Sequence, residues 1–139
     1  MQFTTHLSFD GNCRQAFDFY AETFGARIVA RVTYGEMPGS PGPAALRDRI
    51  AHARLDAGGQ TLMGADAPPE RASTPHGFAV CATIEDLGRA QRIFETLAAN
   101  GQTQMPFQET FWARGFGMCV DRFGVPWMVN CEKPREGAH

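Results

Sequence analysis

The same order of predicted secondary-structure elements occurs twice along the chain, and this repeat constrains the fold more than any other feature. A strand, a helix and three further strands are predicted in residues 1–66 and again in residues 76–133. Residues 67–75 contain three prolines and are predicted to link the two segments. We therefore predict an α+β fold of two β-α-β-β-β modules, forming a curved mixed sheet around a cleft within one domain, 1–139.

The first module has clear boundary signals for its helix. Asn12 follows the strand at 3–9 and is predicted to cap the helix at its N-terminus. Gly25 is predicted to end the helix in the left-handed conformation. The apolar residues between them recur at helical spacing: Cys13, Ala16, Phe17, Tyr20 and Phe24. Further strands are predicted at 26–34, 50–55 and 61–64.

A loop is predicted from Gly35 to Ala45, between the second and third strands. It contains three prolines and three glycines, a composition that disfavours any regular element. Loops of this kind often carry function on a rigid scaffold, so we predict that this one acts as a lid.

The second module repeats these signals. Asp86 is predicted to cap its helix, and Gly101 is predicted to hold the place that Gly25 holds in the first module. Asp and Gly at the ends of 121–124 favour a tight turn. The strands are predicted at 77–84, 104–108, 115–121 and 127–132.

Five side chains are candidates for chemistry. Glu109, Trp112 and Arg114 precede the terminal hairpin and supply a carboxylate, an indole and a guanidinium within six residues. Each has an ordinary alternative: Glu109 as a solvated carboxylate, Trp112 as core packing and Arg114 as a structural ion-pair partner. His52 is either a hydrogen-bonded strand residue or a cavity-lining donor or base, because imidazole can titrate near neutral pH. His6, on the first strand, is a candidate ligand contact.

Composition narrows the class of partner. The formal charge of −2 indicates neither nucleic acid nor an anionic membrane surface. No apolar run approaches the roughly 20 residues needed to span a bilayer, and the first residues do not resemble a signal peptide. The four cysteines lack a C-x-x-C pair, which argues against a zinc ribbon or a disulfide framework. A cytoplasmic location is the expectation.

Several segments, in order, resemble the PhnB-like branch of the vicinal oxygen chelate superfamily, which includes glyoxalases, extradiol dioxygenases and drug-sequestering resistance proteins. The matching segments span nearly the whole chain: 7–13, 19–20, 24–25, 48–53, 58–63, 111–117 and 121–127. The resemblance implies the glyoxalase-like fold. It favours a small-molecule ligand in the cleft and His52, Glu109, Trp112 and Arg114 as site residues.

The resemblance also implies positions for a divalent metal. Enzymes of this superfamily hold the ion with His, Gln or Glu from the first and last strands of each module. Those positions fall near Thr5, Met63, Ala79 and Met128, which are poor ligands for such an ion. We predict no metal cofactor. A methyltransferase label is often given to this branch, yet no glycine-rich βαβ segment for a dinucleotide or S-adenosylmethionine is recognisable.

Three functions remain open at this point. The first is a metal-free module that binds or sequesters a small organic molecule. The second is a metal-dependent lyase, isomerase or dioxygenase. The third is a metal-free enzyme with His52 and Glu109 as acid and base. His6, Trp112 and Arg114 are the predicted ligand contacts. A homodimer is predicted, because the superfamily pairs modules within or between chains and open sheet edges favour association.

Overall fold

The computed structural model describes residues 1–39 and 44–134. They divide into two compact units, the first from Met1 to Thr74 and the second from Pro75 onward. Unit 1 contains β1 (Thr5–Phe9), α1 (Cys13–Phe24), β2 (Arg27–Thr33), β3 (Ile50–Ala57) and β4 (Gln60–Asp66). Unit 2 contains β5 (Val80–Thr83), α2 (Leu87–Ala98), β6 (Gln102–Gln108), β7 (Ala113–Val120) and β8 (Pro126–Glu132).

Each unit has one helix and one four-stranded mixed sheet. The strand order is β1-β4-β3-β2 in unit 1 and β5-β8-β7-β6 in unit 2. The first and last strands of each unit pair in parallel, and the other neighbours are antiparallel. The predicted strand-helix-three-strand order is therefore confirmed twice. The cleft enclosed by the two modules stays a prediction.

The helix of unit 1 covers one face of its sheet. Leu7 and Phe9 of β1 are buried with Phe17 of α1, whose ring lies 6.2 Å from that of Phe9. Gly64 of β4 lies on this covered face, because a Cβ there would be only 2.6 Å from the Phe17 ring. Residues one position along each strand point to the opposite face, which α1 leaves uncovered.

Asn12 occupies the N-cap position of α1, as predicted, but the start of the helix is capped by another residue. The Asn12 side chain makes no capping hydrogen bond. Instead, Oδ1 of Asp66, at the end of β4, accepts from the backbone N–H of Gly11 (2.9 Å) and Cys13 (3.0 Å). Oδ2 of the same carboxylate accepts from Ile50 N at 2.8 Å. A carboxylate from a distant strand thus accepts hydrogen bonds from the free N–H groups at the start of α1. A local side-chain cap would otherwise do this.

The two helices end differently, although a matching glycine was predicted for both. Gly25 has φ 62° and ψ 36°, which confirms the left-handed cap of α1. After α2 the left-handed residue is Asn100, with φ 61°, and Gly101 does not have a positive φ. The predicted cap at Asp86 is confirmed, since its side chain accepts from Arg89 N at 2.7 Å. Among the described residues, no helix is long and apolar enough to cross a membrane.

The predicted turn at 121–124 joins β7 to β8 and is organised by Asp121. Oδ1 of Asp121 accepts from the backbone N–H of Phe123 (2.8 Å) and Val125 (3.0 Å). Oδ2 accepts from the indole Nε1 of Trp127 at 2.8 Å. Gly124 adopts φ 86°, as such a turn requires. Trp127 is thereby fixed in the core of unit 2, where it is 3% exposed.

The segment predicted as a lid has some regular structure at both ends. Short 3-10 turns span Tyr34–Glu36 and Ala44–Leu46, where no regular element was predicted. A capping box between Thr33 and Glu36 stabilises the first turn. Residues 40–43 lie outside the described residues, so the lid itself stays a prediction.

Candidate functional site

The uncovered face of the unit 1 sheet carries a row of side chains that crosses all four strands. His6 of β1 pairs with Met63 of β4, and Met63 pairs with Arg54 of β3. Ala30 of β2 pairs with Arg54 and completes the row. Directly paired residues project to the same face, so His6 and Arg54 lie about 10 Å apart across Met63, which is two strand spacings.

His52 belongs to the same face. It lies two residues before Arg54 on β3, and it pairs with Val32 of β2. His52 is half-buried, whereas His6 and Arg54 are exposed. The register therefore places two sequence-predicted residues, His6 and His52, on the same face as the guanidinium of Arg54.

This register corrects the face expected for His6. The metal positions that the resemblance implies place Thr5 with Met63, and strand alternation would then turn His6, one residue later, to the opposite face. The structure pairs Thr5 with Leu62 instead, one residue before Met63. His6 is thus the β1 residue on the uncovered face. The error arose because a shift of one residue in register exchanges the two faces of a strand.

Arg54 has no ion pair with a described residue, unlike two other arginines of unit 1. Arg49 contacts Asp10 at 2.9 Å, and Arg31 contacts Asp18. Asp56 also lies on the Arg54 face, but its Oδ1 accepts from Gly59 N at 3.1 Å in the β3–β4 turn. The guanidinium of Arg54 is therefore available to an anion from outside the unit.

The corresponding face of the unit 2 sheet is aromatic and sulfur-rich. Asn130 of β8 pairs with Phe116 of β7 and with Thr83 of β5. In the neighbouring row, Met128 pairs with Met118. The residues of this face in β7 and β8 alternate along the strands with buried positions. The face thus carries aromatic and thioether groups beside the amide of Asn130, and the amide of Gln108 in β6 lies on the other side of Phe116.

Trp112, one of the predicted ligand contacts, extends this aromatic surface. Its ring lies 5.5 Å from Phe116 and 4.8 Å from Phe111. Trp112 is 48% exposed and Phe111 is 89% exposed. An aromatic cluster this accessible is a candidate contact for a ligand or a partner. A ligand role for Trp112 stays a prediction.

Arg114 is held by the backbone of unit 2. Its Nε donates to the carbonyl oxygen of Glu132 at 3.1 Å, and its Nη2 donates to that of Glu85 at 2.6 Å. These bonds tie the start of β7 to the end of β8 and to the segment before α2. The guanidinium is thus already used for structure, and its contact with a ligand stays a prediction.

Glu109 lies in unit 2, just after β6, and its side chain is 72% exposed. Lys133 Nζ lies 3.6 Å from its carboxylate. An exposed pair of this kind contributes little to stability. His52 lies in unit 1, so the proposed acid–base pair of His52 and Glu109 draws on both units and stays a prediction.

The buried cysteines are poor candidates for nucleophiles. Burial, with a smaller contribution from Asp66, raises the pKa of the Cys13 thiol to about 12. Burial, with Asp121 second, raises the pKa of Cys119 to about 11. Since the thiolate is the nucleophile, both groups are inert at neutral pH. Cys81 is exposed, and all four cysteines are free.

The residues on these faces do not fit a divalent metal. Within 1–39 and 44–134, no group of three or more His, Cys, Asp or Glu side chains is placed to hold an ion. In the row across the unit 1 sheet, His6 lies next to the thioether of Met63, and Met63 lies next to the cation of Arg54. Oxygen ligands that Mg²⁺ or Mn²⁺ prefer are lacking there, and a guanidinium opposes any cation. The absence of a bound metal in the protein stays a prediction.

A methyl donor such as S-adenosylmethionine also lacks a fitting site at the one strand-glycine-helix segment of unit 1. A cofactor carboxylate or phosphate would use the N–H groups at the start of α1. Those of Gly11 and Cys13 already donate to Asp66. The carboxylate of Asp66 therefore occupies the position that an anionic cofactor group would take.

The repeated unit of one helix and a four-stranded mixed sheet defines the glyoxalase-like class of fold. A glyoxalase-related enzyme from Fulvimarina pelagi has this fold, with a TM-score of 0.63 at 18% identity over 95% of this chain and 89% of that chain. The sequence profile of the 3-demethylubiquinone-9 3-methyltransferase family matches residues 1–130. The chain belongs to that family, the PhnB-like branch of the superfamily.

Three relatives align with this chain over nearly their whole length. Protein YjdN of Escherichia coli strain K12 is 39% identical, over 96% of this chain and 97% of YjdN. The crystal structure of protein PA1353 from Pseudomonas aeruginosa has a TM-score of 0.88 at 41% identity, covering 96% and 99%. A putative 3-demethylubiquinone-9 3-methyltransferase, PhnB protein, from Bacillus cereus has a TM-score of 0.79 at 26% identity, covering 94% and 99%.

Two residues of these faces were missed as site candidates. Arg54 was not among the predicted site residues, although its position two residues after His52 on one predicted strand already placed both on one face. No feature of the sequence around Asn130 marked it as a site residue. Its surroundings depend on the pairing of β5, β8 and β7, which residue order alone does not specify.

Proposed function

We propose that the protein binds a small organic anion without a complete metal site, and that unit 1 supplies the anion contact. The observation that carries this proposal is the position of His6, His52 and Arg54 on one uncovered sheet face. Arg54 is the central group, because it shares its strand with His52 and its row with His6, and it has no carboxylate partner among the described residues.

The chemistry of these groups supports an anion. A guanidinium offers a planar fork of donors that matches a carboxylate or phosphate. Imidazoles at the sides can each donate one further hydrogen bond. A hydrogen bond to a charged group contributes about 1.5–3 kcal/mol. Met63, between His6 and Arg54, supplies an adaptable apolar floor for the organic part of the ligand.

Binding of benzoate tests this proposal, with benzamide as the uncharged probe of the same shape. Wild-type protein should bind benzoate more tightly than benzamide in isothermal titration calorimetry. Arg54→Gln should weaken benzoate by about 10-fold or more, because the anion loses a charge-assisted partner. The affinity for benzamide should hardly change.

Arg71→Gln is the matched control, since Arg71 is an exposed arginine outside the sheets. It should bind benzoate as the wild type does. Equal binding of benzoate by Arg54→Gln and wild type, or no benzoate binding by the wild type, would contradict the proposal.

We infer in addition that the protein is a homodimer in the cytoplasm. Four free cysteines suit a reducing compartment. Strands β2 and β6 are sheet edges, and the residues of β6 are largely exposed. Together with Phe111 and Trp112, such an edge favours association. Sedimentation equilibrium at micromolar concentration should give twice the chain mass of 15.2 kDa, and a mass of one chain would contradict the inference.

A further inference from the structure

We propose that Asn130 determines ligand specificity in unit 2 by accepting a hydrogen bond from a planar, uncharged group of the ligand. The inference rests on the proposed small-molecule binding but concerns a different sheet and a different chemical group. It assigns to unit 2 a ligand class, namely an aromatic ring that carries an N–H or O–H donor.

The amide oxygen of Asn130 is buried and has no partner. Its Oδ1 is inaccessible to solvent and accepts no hydrogen bond. A buried acceptor without a donor costs about 1–3 kcal/mol, so native proteins seldom keep one without a reason. A ligand that brings a donor to this oxygen would recover that free energy on binding.

Two buried carboxylates with a structural role differ from Asn130, because their oxygens accept hydrogen bonds. Asp66 and Asp121 are almost fully buried, and each accepts from three donors within its own unit. The fold can therefore supply partners where it needs them. Asn130 lies on the sheet face away from α2, where its neighbours in register are Phe116 and Thr83.

The surroundings of Asn130 indicate the class of ligand. Phe116 is in edge contact with Trp112, and Met128 and Met118 form the next row of the sheet. Aromatic and thioether groups suit the face of a planar ring. Arg114, two residues before Phe116, donates from Nε and Nη2 to backbone carbonyls, and Asn130 supplies an uncharged polar group beside Phe116.

Because Oδ1 is inaccessible to solvent, a ligand reaches it only when its surroundings rearrange. Methionine is unbranched and flexible, and its displacement is therefore less costly than that of a β-branched residue. The two methionines beside Asn130 thus suit an entry by local rearrangement. The hydrogen bond to Oδ1 then selects among flat ligands that fill the same space.

Indole and 1-methylindole are the probes for this site, because the methyl group removes the only N–H donor. Wild-type protein should bind indole about 10-fold more tightly than 1-methylindole in calorimetric titrations. In Asn130→Leu that preference should vanish, since no acceptor remains. The same variant without ligand should melt about 3 °C or more above the wild type, because the unpaired oxygen is gone.

Gln108→Leu is the matched control, since Gln108 is an exposed amide that pairs with Phe116 from the other side. It should keep the preference for indole and the wild-type melting temperature. A lower melting temperature in Asn130→Leu together with an unchanged preference for indole would overturn the inference. So would equal binding, or no binding, of both probes by the wild type.

The proposed roles of Arg54 and of Asn130 can be disproved independently of each other. Arg54→Gln should lose benzoate affinity and keep the preference for indole over 1-methylindole. Asn130→Leu should lose that preference and keep the difference between benzoate and benzamide. If benzoate binding depends on Arg54 but indole is not preferred over 1-methylindole, only the role of Asn130 is overturned.

Discussion

Replacement of Asp66 by Ala will lower the free energy of unfolding by about 3–5 kcal/mol. Three buried or partly buried N–H groups, of Gly11, Cys13 and Ile50, lose the carboxylate that accepts from them. Each unsatisfied donor costs about 1–3 kcal/mol, although water entering the space reduces the sum. The melting temperature, followed by circular dichroism, should fall by about 10 °C or more.

Asp56→Ala is the control for a lost aspartate in the same unit. Asp56 accepts one hydrogen bond, from Gly59 N in an exposed turn. Its replacement should cost less than about 1 kcal/mol. A melting temperature of Asp66→Ala within about 2 °C of the wild type would show that the α1 start is stabilised by something else.

Replacement of Gly101 by Ala is the second change with a large expected effect. A Cβ at this position would lie 2.2 Å from the carbonyl oxygen of Val120 and 2.9 Å from the carbonyl carbon of Asp121. Both are backbone atoms next to the turn that fixes Trp127. They cannot move aside as a flexible side chain can, so we expect a loss of about 3 kcal/mol or more.

Gly88→Ala should have the opposite sign and serves as the matched control. Gly88 lies in α2, and the nearest atom to its added Cβ is the guanidinium Nη1 of Arg92 at 3.4 Å. Alanine in a helix is favoured over glycine by about 0.5–1 kcal/mol. Urea unfolding should thus separate the two variants, and equal stability of Gly101→Ala and wild type would contradict the close approach.

The repeat of elements could be predicted because its signals are local. Helical periodicity, the caps at Gly25 and Asp86, and the turn at 121–124 each depend on residues close in sequence. The start of α1 could not be predicted in the same way. Its partner, Asp66, is 53 residues beyond Cys13 in the chain, and no spacing rule connects them.

The candidate site shows the same division between local and long-range information. His6 and His52 were recognised by residue type, but the face of His6 depended on the register of β1 against β4. Arg114 could be a site residue or a structural ion-pair partner from the sequence, and only the fold reveals the carbonyls of Glu85 and Glu132 that it binds. The chemical groups of the candidate site could thus be predicted from residue type. Whether each group is free to bind a ligand depends on the tertiary structure.

A titration of chelator-treated, metal-free protein with benzoate tests the central claim most directly. The imidazole signals of His6 and His52, assigned with His6→Gln and His52→Gln, can be followed by nuclear magnetic resonance. We predict that both signals shift with one dissociation constant, that the chelator leaves this constant unchanged, and that Arg54→Gln removes the shifts. Loss of benzoate binding after chelation, restored by one equivalent of a divalent metal, would contradict the account.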